Sequence, residues 1–207
     1  SCKFADLSTF SFHPVKNITT GEGGLVTTKS KVFFNYIKKI RNHGIETTTK
    51  KSYPYNVNNH GLNFRLSDIN CALGYSQIKK LSSFRLKKNI IFNYYEKKIK
   101  NVKRVKIIKK SNFSETFWHL FVVRIQFVNL SEKEKLMKYL EKHNIGSQIH
   151  YIPIYKHKIF SKEICFSNSG SEKYFKSAVT LPFHLSLTKK DIDYIVSKID
   201  AFLNKNN

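Results

Sequence analysis

A segment rich in aromatic and β-branched residues, FWHLFVVRIQF at residues 117–127, predicts a strand and constrains the fold more than any other part of the sequence. Ser131 follows it with Glu134 three residues later, a capping box that predicts a helix over residues 132–143. Further expected elements are a short strand at 146–151 and helices at 171–177 and 188–203. This alternation predicts a small α+β domain from residue 101 onward.

The first hundred residues predict shorter elements. Strands are expected at residues 9–12 and 24–28, with a Pro- and Gly-containing loop between them. Ser30 is placed to cap a helix that runs to about Arg41. The polar residues 45–62 predict a long loop. Ser67 and Asp68 open a helical stretch to about Lys100, with a bend expected near Ser82 and Ser83.

The chain is strongly basic, with 37 Lys and Arg residues against 14 Asp and Glu and a net charge of +23. A charge of this size is typical of proteins that bind phosphate groups. Lysine supplies 32 of the 37 basic residues, however, and these lysines are scattered along the chain. Scattered lysines favour a solvated surface over a nucleic-acid groove, since arginine is the better ligand for phosphate. A basic polyanion-binding protein remains an alternative, and its binding would weaken steeply with salt.

Two absences in the sequence narrow the class of protein. No stretch approaches the roughly 18–20 apolar residues of a membrane helix, which predicts no membrane partner. The three cysteines, Cys2, Cys71 and Cys165, are far apart and form no C-x-x-C pair. Neither a disulfide framework nor a metal site is expected from them, and a reducing, cytoplasmic location fits best.

One lysine stands in an unusual setting. Lys16 lies in the loop after the first predicted strand, with Pro14 and Val15 before it. A lysine amine is a useful nucleophile when apolar or cationic surroundings lower its pKa, as in Schiff-base enzymes. Ser11 lies five residues upstream and has a hydroxyl that could bind a phosphate. Composition alone favours the interpretation of Lys16 as one of many surface lysines, and the glycines at 21–24 lack the spacing of a nucleotide-binding loop.

The string at residues 9–24, TFSFHPVKNITTGEGG, closely resembles the lysine segment of the DegT/DnrJ/EryC1/StrS aminotransferases, which are pyridoxal-phosphate-dependent sugar aminotransferases. Other segments resemble motifs of this family in the same order, namely RNHG at 41–44, GLNFRLSDINCALG at 61–74, WHLF at 118–121, HYIPI at 150–154 and LPFH at 181–184. The lysine segment is most similar to the branch that acts on UDP-4-keto-6-deoxy-N-acetylhexosamines in pseudaminic acid synthesis.

The resemblance implies an α/β fold, the C-terminal part of a fold-type I pyridoxal-phosphate-dependent transferase. Residues 1–100 would be the remaining edge of the large cofactor-binding α/β domain with its connecting helix. Residues 101–207 would be the small α+β C-terminal domain. The family's N-terminal half has no counterpart in the sequence. The aspartate that pairs with the pyridine nitrogen belongs to that half, so it has no counterpart either. Asp6 matches a different position, in the lysine segment.

The resemblance also implies roles for single residues. Lys16 would form the internal aldimine with pyridoxal phosphate and move protons during transamination, and Ser11 would bind the cofactor phosphate. Asn63 would reach the phosphate of the neighbouring subunit's cofactor in a homodimer, with Arg65 nearby for anionic groups. His150 and Tyr151 would approach the nucleotide sugar.

The same resemblance favours one reaction type. Relatives that use the cofactor for dehydration have histidine at the position of Lys16, so the lysine favours amino transfer, with glutamate as the donor. Without the N-terminal half, apolar residues of the first strands such as Phe10, Phe12, Leu25 and Val26 are expected to be exposed. An inactive remnant that pairs with a full-length subunit through residues 55–100 is therefore a second hypothesis.

Overall fold

The computed structural model describes residues 4–47, 55–108, 116–160 and 169–205. The chain divides into two compact units, residues 1–82 and 83–207. The assignment of residues 1–100 and 101–207 to two domains of the family fold stays a prediction. Cys2 and Cys165 lie outside the described residues. No helix in the described ranges is long and apolar enough to cross a membrane.

The first unit begins with an antiparallel hairpin. Strands β1 (Leu7–Ser11) and β2 (Gly24–Thr28) pair from Leu7 opposite Thr28 to Ser11 opposite Gly24. Helix α1 (Lys31–Ile40) follows and is capped by Ser30, whose Oγ accepts a hydrogen bond from the Phe33 amide at 3.3 Å. The two strands and the Ser30 cap were predicted from the sequence, and all three are confirmed, with the first strand at 7–11 instead of 9–12.

The segment predicted as a long loop at 45–62 contains a second hairpin. Strands β3 (Ile45–Thr47) and β4 (Tyr55–Val57) pair in antiparallel fashion. The loop prediction was therefore wrong for these six residues, because strands of only three residues are too short to show an apolar alternation over the roughly four to eight residues that mark a strand. The connecting residues 48–54 lie outside the described part of the chain.

The predicted long helix is two helices. Helix α2 (Asp68–Lys79) begins after Ser67, whose Oγ caps the Asn70 amide, and helix α3 (Leu81–Ile99) follows directly. The break lies at Lys80, where the amide bonds back to Gln77 O at 3.0 Å, and so precedes the bend predicted at Ser82 and Ser83. The Ser67 cap itself was predicted correctly.

Apolar side chains of the first unit are widely exposed. Helices α1 and α2 contain no buried residue. Phe10, Leu25 and Val26 are exposed by 38%, 47% and 43%, as the sequence predicted, whereas Phe12 is half-buried. Helices of soluble proteins usually bury an apolar face, which α1 and α2 do not within the described residues. These faces are therefore suited to packing against further polypeptide.

The second unit is an α+β domain with its own core. Strands β5 (Val105–Ile107), β6 (Phe121–Ile125) and β7 (Ala178–Leu181) form one antiparallel sheet in the order β5-β6-β7. The helices are the larger part of α3, α4 (Leu130–Lys142), α5 (Ser169–Ser177) and α6 (Lys189–Lys205), with single 3₁₀ turns at Ile154–Lys156 and Lys158–Phe160. The predicted α+β class of this region is confirmed.

Aromatic side chains join helix α3 to the sheet. Tyr95 is fully buried and stacks on Phe121 with 4.3 Å between ring centroids, while Phe92 stacks on Trp118 at 3.8 Å. The remaining fully buried apolar residues come from β6, β7 and the helices, and include Val123, Leu136, Leu140, Val179, Ile192, Ile199 and Leu203. The pattern of residues 117–127 thus predicted the centre of this core, although the strand itself covers only 121–125.

Two predicted details of this unit were wrong. The cap of α4 is Asn129, whose Oδ1 accepts from the Glu132 amide at 2.9 Å, so the helix begins two residues earlier than a Ser131 cap would allow. Residues 146–151 form no strand, because Gln148 alone bridges to Thr180. That bridge has two hydrogen bonds, of 3.1 and 2.8 Å.

The Glu132 carboxylate binds the residue before the Asn129 cap and should be a major contributor to the stability of α4. It accepts from the Val128 amide at 2.6 Å and from Nη2 of Arg104 at 2.8 Å, with only 10% of its side chain exposed. Glu132→Ala should lower the free energy of unfolding by about 2 kcal/mol, since it leaves a mostly buried guanidinium without its carboxylate. Urea unfolding followed by circular dichroism measures this change.

Glu134→Ala is the matched control, because Glu134 is the exposed carboxylate that a Ser131 capping box would use. A change of less than about 0.5 kcal/mol is expected there. If Glu134→Ala cost more than Glu132→Ala, the helix would be capped at Ser131 and the Asn129 register would be wrong.

Candidate functional site

Ser11 and Lys16 lie on the same hairpin. Ser11 ends β1, and Lys16 is in the connection to β2, residues 12–23, which we term the lysine loop. Both side chains are exposed, and so is Val15 beside the lysine, by 65%. The Lys16 amide donates to His13 O at 2.9 Å, which places the lysine in a tight turn. The described residues of this unit thus leave its amine open to a ligand.

The two ends of the lysine loop are tied together. The Phe12 carbonyl accepts from the Thr20 amide at 3.0 Å and from Thr19 Oγ1 at 2.9 Å. The Phe12 amide donates to Gly23 O at 2.9 Å, which continues the strand ladder by one bond. Phe12 and Thr20 lie at equal distances before and after Lys16 in the sequence. The hydrogen bonds between them therefore fix both ends of the turn that contains the lysine.

Helix α2 holds the far end of the lysine loop through Asn70. Its Nδ2 donates to the Thr20 carbonyl and, at 3.3 Å, to the Glu22 carbonyl. Its Oδ1 accepts from the Ser67 hydroxyl. Thr20 is only 4% exposed, so its polar groups need such partners. Two of the motifs recognised in the sequence, 9–24 and 61–74, therefore meet in the structure.

The RNHG turn at 41–44 packs on the start of the 61–74 motif. The His43 amide donates to Leu62 O at 3.1 Å, and the Phe64 amide to Arg41 O at 3.0 Å. Gly44 has φ +70°, in the left-handed region that favours glycine. A Cβ on Gly44 would lie 1.8 Å from the Asn59 carbonyl oxygen, so the close approach requires glycine there.

Asn63 and Arg65, the other predicted site residues of this unit, lie beside that turn. Asn63 forms a backbone bridge with Asn42, and its Oδ1 accepts from the Arg65 amide at 3.4 Å. Arg65 donates from Nη1 to the side chain of Asn42. Both side chains are exposed. Within the described part of the chain, the Asn42 contact uses one nitrogen of the guanidinium, which leaves further N–H groups for an anionic group.

His150 and Tyr151 lie in the second unit and are joined by a cis peptide bond. His150 Nδ1 is 2.8 Å from Thr180 Oγ1, which orients a half-buried ring. Tyr151 is 72% exposed and lines an open cavity of about 380 Å³. Among the described residues, Pro153, Gly170, Ser171 and Tyr174 also line this cavity.

The LPFH motif at 181–184 is held by two side chains of α3. The Tyr95 hydroxyl donates to Pro182 O at 3.0 Å, and Lys88 Nζ donates to Phe183 O at 2.8 Å. Lys88 Nζ also lies 4.3 Å from the Phe183 ring centroid. Burial lowers the pKa of Lys88 to about 8 and raises the pKa of Tyr95 above its ordinary value.

The contact of Asn70 with the lysine loop was not predicted from the sequence, where Asn70 is one position of the 61–74 motif. The signal was present, since an asparagine three residues after the Ser67 cap has a carboxamide at the first turn of the helix. Its partner Thr20 lies 50 residues away in sequence, so the local pattern could not predict this contact. Within the described ranges, no group of three or more His, Cys, Asp and Glu side chains is placed to hold a metal ion.

Comparison with known proteins identifies the same family throughout. Residues 1–200 match the profile of the DegT/DnrJ/EryC1/StrS aminotransferase family. The UDP-4-amino-4,6-dideoxy-N-acetyl-beta-L-altrosamine transaminase of Campylobacter jejuni is 34% identical over 206 residues, covering 98% of this chain and 54% of that protein. GDP-perosamine synthase of Escherichia coli O157:H7 is 29% identical, over 96% of this chain and 52% of that protein.

Comparison with solved structures likewise finds sugar aminotransferases. Helicobacter pylori PseC, an aminotransferase involved in the biosynthesis of pseudoaminic acid, has a TM-score of 0.90 at 28% identity, over 98% of this chain and 54% of that one. The putative sugar aminotransferase Spr1654 from Streptococcus pneumoniae in its PMP-form has a TM-score of 0.89 at 26% identity, over 99% and 55%. The predicted fold class is confirmed, and the chain spans about half the length of the curated relatives it matches.

Proposed function

Because the chain belongs to the DegT/DnrJ/EryC1/StrS aminotransferase family, whose cofactor is pyridoxal phosphate, we propose that it is part of an enzyme that transfers an amino group to a nucleotide-linked 4-keto-6-deoxy sugar. Glutamate is the proposed donor. Relatives named for UDP- and GDP-linked sugars support the nucleotide-sugar class of substrate. The observation that carries the proposal is the hairpin that exposes both Ser11, at the end of β1, and Lys16, in the loop that follows.

The side chains of this hairpin fit the cofactor. An exposed primary amine at Lys16 is accessible to an aldehyde, and the exposed Ser11 hydroxyl can donate to a phosphate. Bound pyridoxal phosphate would supply an electron-withdrawing ring that stabilises negative charge on the substrate carbon. Lys16 Nζ would hold the cofactor and then carry a proton between donor and acceptor atoms, which a turn fixed at both ends keeps within reach.

The remaining site residues are proposed with it. Asn63 is proposed to bind the cofactor phosphate of a partner subunit in a homodimer, and Arg65 the anionic groups of the substrate. His150 and Tyr151 are proposed to contact the nucleotide sugar. The exposure of Asn63, Arg65 and Tyr151 supports these roles, since a residue that binds a ligand across a subunit boundary must be accessible in the single chain.

Labelling with the cofactor tests the proposal. The chain is incubated with pyridoxal phosphate, reduced with borohydride and digested, and mass spectrometry locates the modified lysines. Lys16 should be modified about tenfold faster than Lys29, an exposed lysine just after β2, because a positioned amine gains from proximity to a bound cofactor. Lys16→Ala should remove the absorbance band of bound cofactor and its shift on adding glutamate, whereas Lys29→Ala should leave both unchanged.

Exposed apolar surface favours a second candidate function, pairing with another polypeptide. Ile69 and Tyr75 on α2 are exposed by 84% and 65%, and Phe64 before it by 63%. Residues 55–100 would then bind a full-length subunit or a chain that carries the other half of the fold. Adding the first half of the Campylobacter jejuni relative to the labelling reaction separates the cases. Selective labelling only in its presence favours pairing, and unselective labelling in both reactions contradicts the proposed enzyme.

A further inference from the structure

We infer that Asn70 is a positioning residue for Lys16, acting through the lysine loop, an inference that rests on the function proposed above. Asn70 lies in the first turn of α2, and its contacts with the loop are at Thr20 and Glu22. Among the described residues, its hydrogen bonds are to Ser67, Thr20 and Glu22, and none is to Lys16 or Ser11. Its proposed role is to hold the loop so that the lysine amine is presented in one place.

The carboxamide of Asn70 matches its neighbours group by group. A side-chain amide has two N–H donors and one oxygen acceptor. The Nδ2 atom reaches two carbonyl oxygens of the loop, and Oδ1 accepts from the Ser67 hydroxyl. The Ser67 Oγ in turn accepts from the Asn70 amide, so the cap and the side chain orient each other. Replacement by aspartate keeps this shape but removes both donors.

Close backbone approach shows that the loop and helix are built to meet. A Cβ on Gly74, one turn after Asn70, would lie 2.7 Å from Thr20 Cγ2, and one on Gly21 would lie 3.4 Å from Asn70 Nδ2. Gly21 itself has φ +82°. The methyl group of Thr20 thus packs against α2 at Gly74. The hydrogen bonds from the Asn70 carboxamide add polar contacts that fix the loop carbonyls to the same helix.

The connection bears on Lys16 because the loop is short and closed. Asn70 fixes Thr20, and Thr20 is bonded to Phe12 across the turn that contains the lysine. Freeing Thr20 loosens one of the two anchors of that turn. The lysine amine would then sample more positions, and its reaction with a bound aldehyde would lose the advantage of proximity.

The test compares Asn70→Ala and Asn70→Asp with Ser76→Ala, a change at an exposed position of the same helix. Aspartate in a first turn favours the helix, so α2 should remain folded in that variant. Hydrogen exchange of the amides at 17–24 should accelerate about tenfold in both Asn70 variants, the effect of losing roughly one net hydrogen bond. Labelling by pyridoxal phosphate and borohydride should fall at Lys16 to the rate of Lys29.

The two measurements distinguish failure of the Asn70 inference from failure of the proposed function. Wild-type exchange at 17–24 in both Asn70 variants overturns the inference, and so does faster exchange with Lys16 still labelled selectively, because the contact would then be structural only. If the wild-type chain itself labels Lys16 no faster than Lys29, the proposed function fails and Asn70 has no lysine to position. Ser76→Ala should match the wild type in both measurements.

Discussion

Gly44→Ala is expected to disrupt the packing of the RNHG turn on residues 61–65 and to lower the free energy of unfolding of the first unit by about 3 kcal/mol or more. The added Cβ would meet the Asn59 carbonyl oxygen at 1.8 Å, a backbone atom that cannot rotate away. The left-handed φ of +70° adds strain for any residue with a Cβ. Hydrogen exchange of peptides across 36–47 and 58–66, together with urea unfolding, measures the loss.

The expected loss extends to the candidate site. Asn63 and Arg65 are held by the turn through Asn42, so a displaced turn should also misplace these two side chains. Gly146→Ala is the matched control, because a Cβ there meets no atom within 4 Å and its change in stability should be close to zero. Equal exchange rates in Gly44→Ala and the wild type would show that the turn does not pack as described.

Local signals in the sequence were enough to predict the elements that begin at a side-chain cap. Ser30 and Ser67 each precede a helix and were predicted as its start. At α4 the sequence predicted a cap at Ser131 with Glu134, whereas the structure caps the helix at Asn129. In that register Glu132 lies in the first turn and pairs with Arg104, 28 residues away. That ion pair depends on tertiary structure, so helical pattern alone could not choose between the two.

The candidate site likewise combines features that the local sequence predicted with contacts that it did not. The residue pattern around Lys16 was enough to predict two strands and the loop between them, but not their antiparallel pairing. The contact of Asn70 with Thr20 and the glycine-dependent packing of Gly44 against Asn59 connect segments that no short pattern spans. They became visible only when the chain was folded, because hydrogen bonds to backbone carbonyls leave no signature in the identity of the accepting residue.

Two buried lysines should make the second unit more stable at alkaline pH. Burial lowers the pKa of Lys88 and of Lys133 from the ordinary 10.5 to about 8. Each donates to the carbonyl of a phenylalanine, Phe183 and Phe175, and lies over the same ring. Between pH 8 and 10.5 the unfolded chain binds more protons at these positions than the folded chain. The free energy of unfolding therefore rises with pH across that window and falls as pH drops toward 8.

The size of this effect follows from the two shifts. Each lysine should contribute on the order of 2–3 kcal/mol across the window, since one pKa unit corresponds to about 1.4 kcal/mol. Above about pH 10 the buried Tyr95, whose pKa is raised, acts in the opposite direction, because the unfolded chain releases its proton first. Urea unfolding at pH 7, 8, 9 and 10 should therefore show the steepest rise between 8 and 10.

The double variant Lys88→Met and Lys133→Met isolates the two amines, because methionine keeps an unbranched apolar side chain of similar length. It should remove most of the slope between pH 8 and 10 while leaving the folded state intact. Lys138→Met, at an exposed position of α4, should retain the slope. A flat wild-type profile would mean that Lys88 and Lys133 stay protonated in the folded chain well above pH 8. The carbonyl of a phenylalanine and its ring would then stabilise each ammonium group enough to offset its burial.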